Sequence, residues 1–218
     1  LPFNRAERSW VYRAAKDLNN TVAFGSTRDL RKPGTVVFVN CPFPTLGEDA
    51  VPPKPVTIGA ECRAPNTTAS LFNISGMSYG AISRPAVLAL SNGAKKAGCW
   101  MNTGEGGLSP YHLEGGCDIV FQIGTAKYGV RDHDGNLSDD KLREVGETEQ
   151  VSMIELKLSK GAKTCKCGIL PGQKVTAEIP GIRGIPEGQD SISPKRHPDI
   201  VSPADLLDMI NHIRDVYG

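Results

Sequence analysis

Seven residues able to do chemistry stand at the ends of short apolar runs: Met77, Ser78, Asn102, Glu105, Gln122, Lys157 and Lys163. The densest group is Asn102-Thr103-Gly104-Glu105-Gly106-Gly107. Glycines there leave main-chain N–H groups uncovered, and successive amides can form a concavity for an anion or a carbonyl oxygen. Glu105 is the single charge among them. The stretch reads either as a binding loop or as a tight strand-to-helix turn with a solvated carboxylate. Lys157 lies in Met153-Ile154-Glu155-Leu156-Lys157-Leu158, where apolar and charged residues alternate. That pattern fits a half-exposed strand, or a barrel strand whose charged side chains point inward, in which case Lys157 needs a partner or a function. Lys163 belongs to the basic, Gly-containing run Ser159 to Gly168, which suits an anion.

The elements that must position these residues follow from local signals. Asn4 with Glu7 makes a capping-box pair. A helix is expected from there to Asn19-Asn20, docking through Trp10, Ala14 and Leu18. Thr35 to Val39 reads as a strand closed by Pro42 and Pro44, and Val51 to Pro55 as a stiff connector. These residues define an entry segment, 1–55. From Val56 short apolar strands alternate with Gly-rich turns and helix-length polar segments. Strands are expected at Leu71–Ile74, Cys99–Met101, Asp118–Ile123 and Met153–Leu158. Helices are expected from Ser83-Arg84-Pro85 to Gly98, from Ser138 past Val145, and from Ser202-Pro203 through Ile213, with Ile182 to Pro194 irregular between the last strand and the last helix. Four loops then follow four strands, and in a (β/α)8 barrel such strand ends build one site.

Composition narrows the classes. With 218 residues, 39% apolar content and 24 glycines, the chain suits an α/β protein. A net charge of +1 with scattered Lys and Arg gives no support to a nucleic-acid surface. No apolar run approaches the roughly 20 residues of a membrane-spanning helix. Six cysteines lack the dense spacing of a secreted scaffold, so a reducing cytoplasm is expected. Leu1 as first residue and a last helix not followed by a strand suggest a piece of something longer.

Ser75-Gly76-Met77-Ser78-Tyr79-Gly80, Asn102 to Gly107, and Lys157 with Gly161-Ala162-Lys163 and Leu170-Pro171-Gly172 resemble, in order and spacing, successive motifs of the FMN-binding glutamate synthase domain. The entry segment and Ile182-Arg183-Gly184-Ile185-Pro186 look closer to the stand-alone glutamate-synthase-like proteins, and the resemblance covers effectively the whole chain. It implies an incomplete N-terminal portion of a TIM-type (β/α)8 barrel, residues 56–218 forming its first half. It implies FMN at the strand ends and reduction of 2-iminoglutarate, formed from 2-oxoglutarate and ammonia or a glutamine-derived equivalent, to glutamate. Gly76, Met77 and Ser78 would line the flavin, Asn102 and Gln122 would hydrogen-bond its ring, and Lys157 would lie by the pyrimidine edge. A cation there stabilises the anionic reduced flavin. Glu105, with the amides of Gly104, Gly106 and Gly107, and Lys163 would face the substrate; Lys157 and Glu105 are the expected catalytic pair.

Two departures stand against the family pattern. Thr164, Cys165 and Cys167 replace a proline and two glycines of the loop after Lys163; Cys165 and Cys167 have metal or redox service as an alternative use, although no metal is expected. The later strands, with the phosphate loops and any iron-sulfur ligands, would belong to a missing barrel half or a partner chain. The electron donor is not legible. The competing expectations are a non-catalytic half-barrel that associates with itself or a partner, and an FMN enzyme acting on another 2-oxo or 2-hydroxy acid.

Overall fold

A computed structural model describes residues 3–18, 29–159 and 168–217. Lys163, Cys165, Cys167 and the helix end expected at Asn19-Asn20 lie outside the described residues. The chain divides into two units, Leu1–Val51 and Pro52–Gly218.

In the first unit, helix α1 (Arg5–Ala15) starts where the sequence signals it. Asn4 accepts from the Glu7 amide at 2.9 Å, and Glu7 accepts from the Asn4 amide at 2.8 Å. Its apolar face is not buried: Trp10 is 49% exposed, so the expected docking role is corrected. Thr35–Val39 is not a strand. A strand is stable only against a neighbour that takes its N–H and C=O groups, and among the described residues none pairs there, leaving Phe38 and Val39 almost fully exposed.

The second unit opens with an antiparallel hairpin, β1 (Val56–Ile58) and β2 (Asn66–Thr68). The strand expected at Leu71–Ile74 reduces to a single parallel bridge from Ile74 to Met101, with Phe72 exposed. Helix α2 (Arg84–Ala97) carries proline in its first turn and ends on Gly98, whose φ of +65° is the left-handed cap that glycine adopts without Cβ strain. It buries Val87, Ser91 and Ala94, while Ala97 of its expected sheet-facing side stays exposed.

Strand β3 (Met101–Asn102), the short helix α3 (Pro110–Leu113) and strand β4 (Ile119–Ile123) follow. All five residues of β4 are buried, as expected for a strand with neighbours on both edges and layers on both faces. Helix α4 (Asp139–Gly146), capped by Ser138, leads to β5 (Val151–Leu156). The parallel sheet runs β3-β4-β5, with Gln122 opposite Glu155 and Ile123 opposite Leu156. With the Ile74 bridge, four parallel segments lie side by side in chain order. Met101, Ile119, Phe121, Ile123, Leu142 and Ile213 form the main core.

After β5 the region expected to be irregular is ordered. Strand β6 (Gly168–Leu170), helix α5 (Glu178–Arg183) and strand β7 (Ser191–Ser193) form an insertion in which β6 and β7 pair antiparallel. Pro180 and Gly181 inside α5 mask its helical signal. Leu170, Val175 and Ile179 make a second small core, packed on Tyr79 and Ile185. The last helix, α6 (Pro203–Tyr217), is started by Ser202 and Asp205, each accepting from the other's amide, and its Tyr217 hydroxyl donates to Val151 O at 2.7 Å.

Candidate functional site

Parallel strands in chain order deliver their C-terminal ends to one face, and the loops leaving them meet there. The loop after Ile74 is tied to the end of β3: Asn102 donates to Ile74 O at 2.9 Å, and Met77 donates to Asn102 O at 3.0 Å. A Cβ built on Gly76 would lie 3.3 Å from Asn102 Oδ1 and 3.5 Å from Gln122 Nε2, so the first three strand ends converge within van der Waals distance.

The glycines of the second loop are used differently from the expectation of uncovered amides. Asn102, 2% exposed, accepts from the Gly104 amide at 2.8 Å and folds the loop back on itself. Gly104 has φ +67°, and a Cβ there would meet Ser78 Oγ at 2.6 Å and Ser78 N at 2.7 Å. Its missing side chain therefore lets two loops touch. Gly106 and Gly107 are also buried against protein, near Arg183 and Ile182.

The polar groups at the rim form pairs that join distant stretches. Lys157, just past β5, forms an ion pair with Glu105. Both are half-buried, with side-chain exposures of 32% and 21%. Gln122 Nε2 donates to Glu155 Oε1 on the neighbouring strand. Gly76, Met77, Ser78, Asn102, Gly104, Glu105, Gly106, Gly107, Gln122 and Lys157 thus occupy one region; Lys163 lies outside the described residues.

Several residues that the sequence did not single out complete this region. Arg183, at the end of α5, is 6% exposed and donates to Tyr79 O at 3.1 Å. Its guanidinium lies 5.2 Å from the centre of the Tyr128 ring, and its buried Nε has no hydrogen-bond partner among the described residues. Burial draws its pKa below the ordinary value, an effect opposed by Tyr128 and Glu105. A pocket of about 310 Å³ opens here, lined by Ser78, Glu105, Gly106, Tyr128, Lys174 and Arg183 among others. Lys174 and Arg183 outweigh Glu105, itself paired with Lys157, so the pocket favours an anion.

Two fully buried histidines hold main chain behind the site. His112 donates from Nε2 to Met77 O at 2.8 Å while Nδ1 accepts from the Ser109 amide at 3.1 Å, which fixes a neutral tautomer. His197 donates from Nε2 to Lys157 O at 2.8 Å. Burial lowers both pKa values. Glu178 of α5 accepts from Tyr79 at 2.7 Å and from Tyr111 at 2.8 Å, clasping the insertion to the first loop. Burial and the Glu178 hydrogen bond push the Tyr79 phenol up to about 12. Arg183 could have been noticed as the lone cation of the Ile182 to Pro186 motif; the histidines carry no local signal.

Known proteins bear the same sequence pattern. The family profile described as a conserved region in glutamate synthase matches residues 45–218. The glutamate synthase large subunit-like protein YerD of Bacillus subtilis (strain 168) is 35% identical over 254 aligned residues, covering 99% of this chain and 48% of the relative. The archaeal glutamate synthase [NADPH] of Methanocaldococcus jannaschii is 39% identical over 142 residues, covering 65% of this chain and 25% of its own length. A glutamate synthase large subunit-like protein of Rhizobium meliloti (strain 1021) is 34% identical over 145 residues, 66% of this chain and 30% of that protein. The chain therefore spans about half of one of these relatives and less of the others. No helix among the described residues is long and apolar enough to cross a membrane. With four-fifths of its residues inside the matched region, the chain belongs to the glutamate synthase family.

Proposed function

We propose that this chain supplies the substrate-facing portion of an FMN-dependent glutamate synthase, reducing the imine formed from 2-oxoglutarate and ammonia to glutamate. The observation that carries the reading is the meeting of Gln122, Lys157 and Glu105 at the strand ends beside an anion-favouring pocket closed by buried Arg183. The sequential parallel order supports a (β/α)8 barrel whose remaining strands come from further sequence or a partner chain. The free thiols of Cys41, Cys62, Cys99 and Cys117 suit a cytoplasmic enzyme.

The residues fit a flavin. A planar ring with carbonyl oxygens and ring nitrogens needs an amide donor and a cation, and Gln122 and Lys157 offer these within one cluster. Glu105 and Glu155 each take one donor of Lys157 and Gln122, and the ammonium's and amide's further N–H groups are available to ring oxygens and nitrogens. Gly76, Met77 and Ser78 would hold the ring by main chain, with Asn102 and Gln122 orienting it. A bound flavin supplies two-electron reduction of a C=N bond.

The chain's own groups do the rest. Lys157 places positive charge where reduction accumulates negative charge. Glu105, already in contact with the Lys157 ammonium, is positioned to hold or release a proton beside the substrate nitrogen. Arg183 and Lys174 line the pocket and present cations to a dicarboxylate.

The test is anaerobic. Photoreduced FMN-loaded full-length protein is mixed with 2-oxoglutarate and ammonium, and flavin absorbance is followed while glutamate is assayed. Reoxidation with stoichiometric glutamate is expected, and Arg183→Met should raise the 2-oxoglutarate requirement roughly 10- to 100-fold, the loss of one charge-assisted contact. Reoxidation by a different oxo acid alone would redirect the substrate assignment.

A further inference from the structure

Lys157 sits one residue beyond the end of β5, where a chain leaving a sheet ordinarily loses its hydrogen-bonding partners. Its backbone is nevertheless held on both sides. Lys157 N donates to Ile123 O at 3.0 Å, and Lys157 O accepts from His197 Nε2 at 2.8 Å. His197 arrives from forty residues downstream, on the strap that follows β7. That strap is fastened across two strand ends. Thr125 Oγ1 donates to Pro194 O at 2.6 Å, Ser159 bridges Arg196, and Lys127 Nζ reaches both Asp199 carboxylate oxygens at 2.9 Å.

The fastening is costly, which argues that it serves something beyond closure of a loop. Lys127, 4% exposed, adopts φ +51°, a left-handed conformation unusual for a residue with a side chain. His197 is 1% exposed, and because a carbonyl can only accept, its proton is on Nε2, leaving the buried Nδ1 lone pair without a partner. A leucine would fill the space with no such orphan. What the imidazole adds over an apolar side chain is one donor, and that donor is spent on the carbonyl of Lys157.

We propose that His197 is a positioning residue: through the Lys157 carbonyl it fixes the last turn of main chain from which the Lys157 ammonium is presented to Glu105 and to the cofactor edge. The proposal rests on the flavin reading of the site for its functional consequence, but the positioning itself has an independent readout. His197 does not touch substrate or cofactor; it acts through Lys157, as outer partners of a functional group do.

The experiment uses the full-length protein and two measurements on each variant. The first is the rate of reductive methylation of Lys157 followed by peptide mass spectrometry, with Lys141, whose ammonium donates to Arg131 O at 2.7 Å, as an internal reference. The second is FMN affinity by fluorescence titration. His197→Leu should speed Lys157 methylation relative to Lys141 and weaken FMN binding, each by about tenfold, the factor corresponding to one lost hydrogen bond to a buried carbonyl. His197→Gln, which keeps a donor near Nε2, should return both toward wild type. If His197→Leu does not fold, His197→Asn, whose amide is too short to reach the carbonyl, carries the same expectation. Equal acceleration of Lys157 and Lys141, or no change at Lys157, overturns the positioning role. A wild-type protein that takes up no FMN while His197→Leu still releases Lys157 overturns the flavin reading and leaves the positioning role standing.

Discussion

Replacing Gly104 by alanine tests whether the motif loop is a packing joint. At φ +67° an alanine pays about 1 kcal/mol for the left-handed conformation. The added Cβ also falls 2.6 Å from Ser78 Oγ, 2.7 Å from Ser78 N and 3.1 Å from Met77 N. Two of those atoms are main chain, so the neighbouring loop must move, and overpacking of this kind costs roughly 1–3 kcal/mol. Gly98→Ala is the control, because Gly98 has nearly the same φ, +65°, with nothing within 4 Å of its Cβ. Thermal and urea unfolding should therefore show a loss of about 1 kcal/mol for Gly98→Ala and about 2–4 kcal/mol for Gly104→Ala. With 2–4 °C per kcal/mol for a domain of this size, Gly104→Ala should melt about 10 °C below wild type and Gly98→Ala about 3 °C below. Equal losses in the two variants would refute the idea that the loops meet through Gly104.

Two further outcomes follow from the site's surroundings. His112 and His197 are both buried in neutral form with their pKa values lowered from an ordinary 6.5, so as pH falls through 6.5 the unfolded chain binds the extra protons first and stability declines, by up to about 1.4 kcal/mol per pH unit for each histidine until its folded value is reached. Urea unfolding at pH 5 to 7 should show that slope, and His112→Gln should remove the His112 share of it, leaving that of His197; an unchanged slope would place the acid sensitivity elsewhere. Removing the Glu178 acceptor by Glu178→Ala should bring the Tyr79 phenol down from about 12 toward its usual value, read as tyrosinate absorbance on titration with base, and an unmoved titration would mean the clasp between α5 and the first loop is not formed.

Local signals carried the capped helices and the three strands of the parallel sheet. Asn4 with Glu7, Ser83 to Pro85 with Gly98, Ser138 and Ser202 mark helix ends because capping is decided within one turn. The apolar run at Ile119–Ile123 was legible because only a strand in the middle of a sheet needs five buried residues in succession. Thr35–Val39 is as apolar and has no strand partner among the described residues, and a strand's existence depends on a partner that its own residues do not encode. The convergence of Gly76, Asn102, Gln122 and Lys157 could be argued from loop order. Their pairings could not: Lys157 meets Glu105 across 52 residues and Gln122 meets Glu155 across 33, distances at which spacing carries no register. Arg183 was hidden behind Pro180 and Gly181, and His197 behind the prolines that flank its strap.

Flavin binding at these strand ends through Lys157 and Gln122, as proposed, is read by titrating FMN into the purified full-length protein and its Lys157→Met variant. The wild type should perturb the flavin's visible spectrum saturably and one-to-one, with affinity at least about tenfold weaker in Lys157→Met, the worth of a hydrogen bond to a charged group. A wild-type protein that leaves the FMN spectrum unchanged, or a Lys157→Met variant that binds as tightly as wild type, would contradict it.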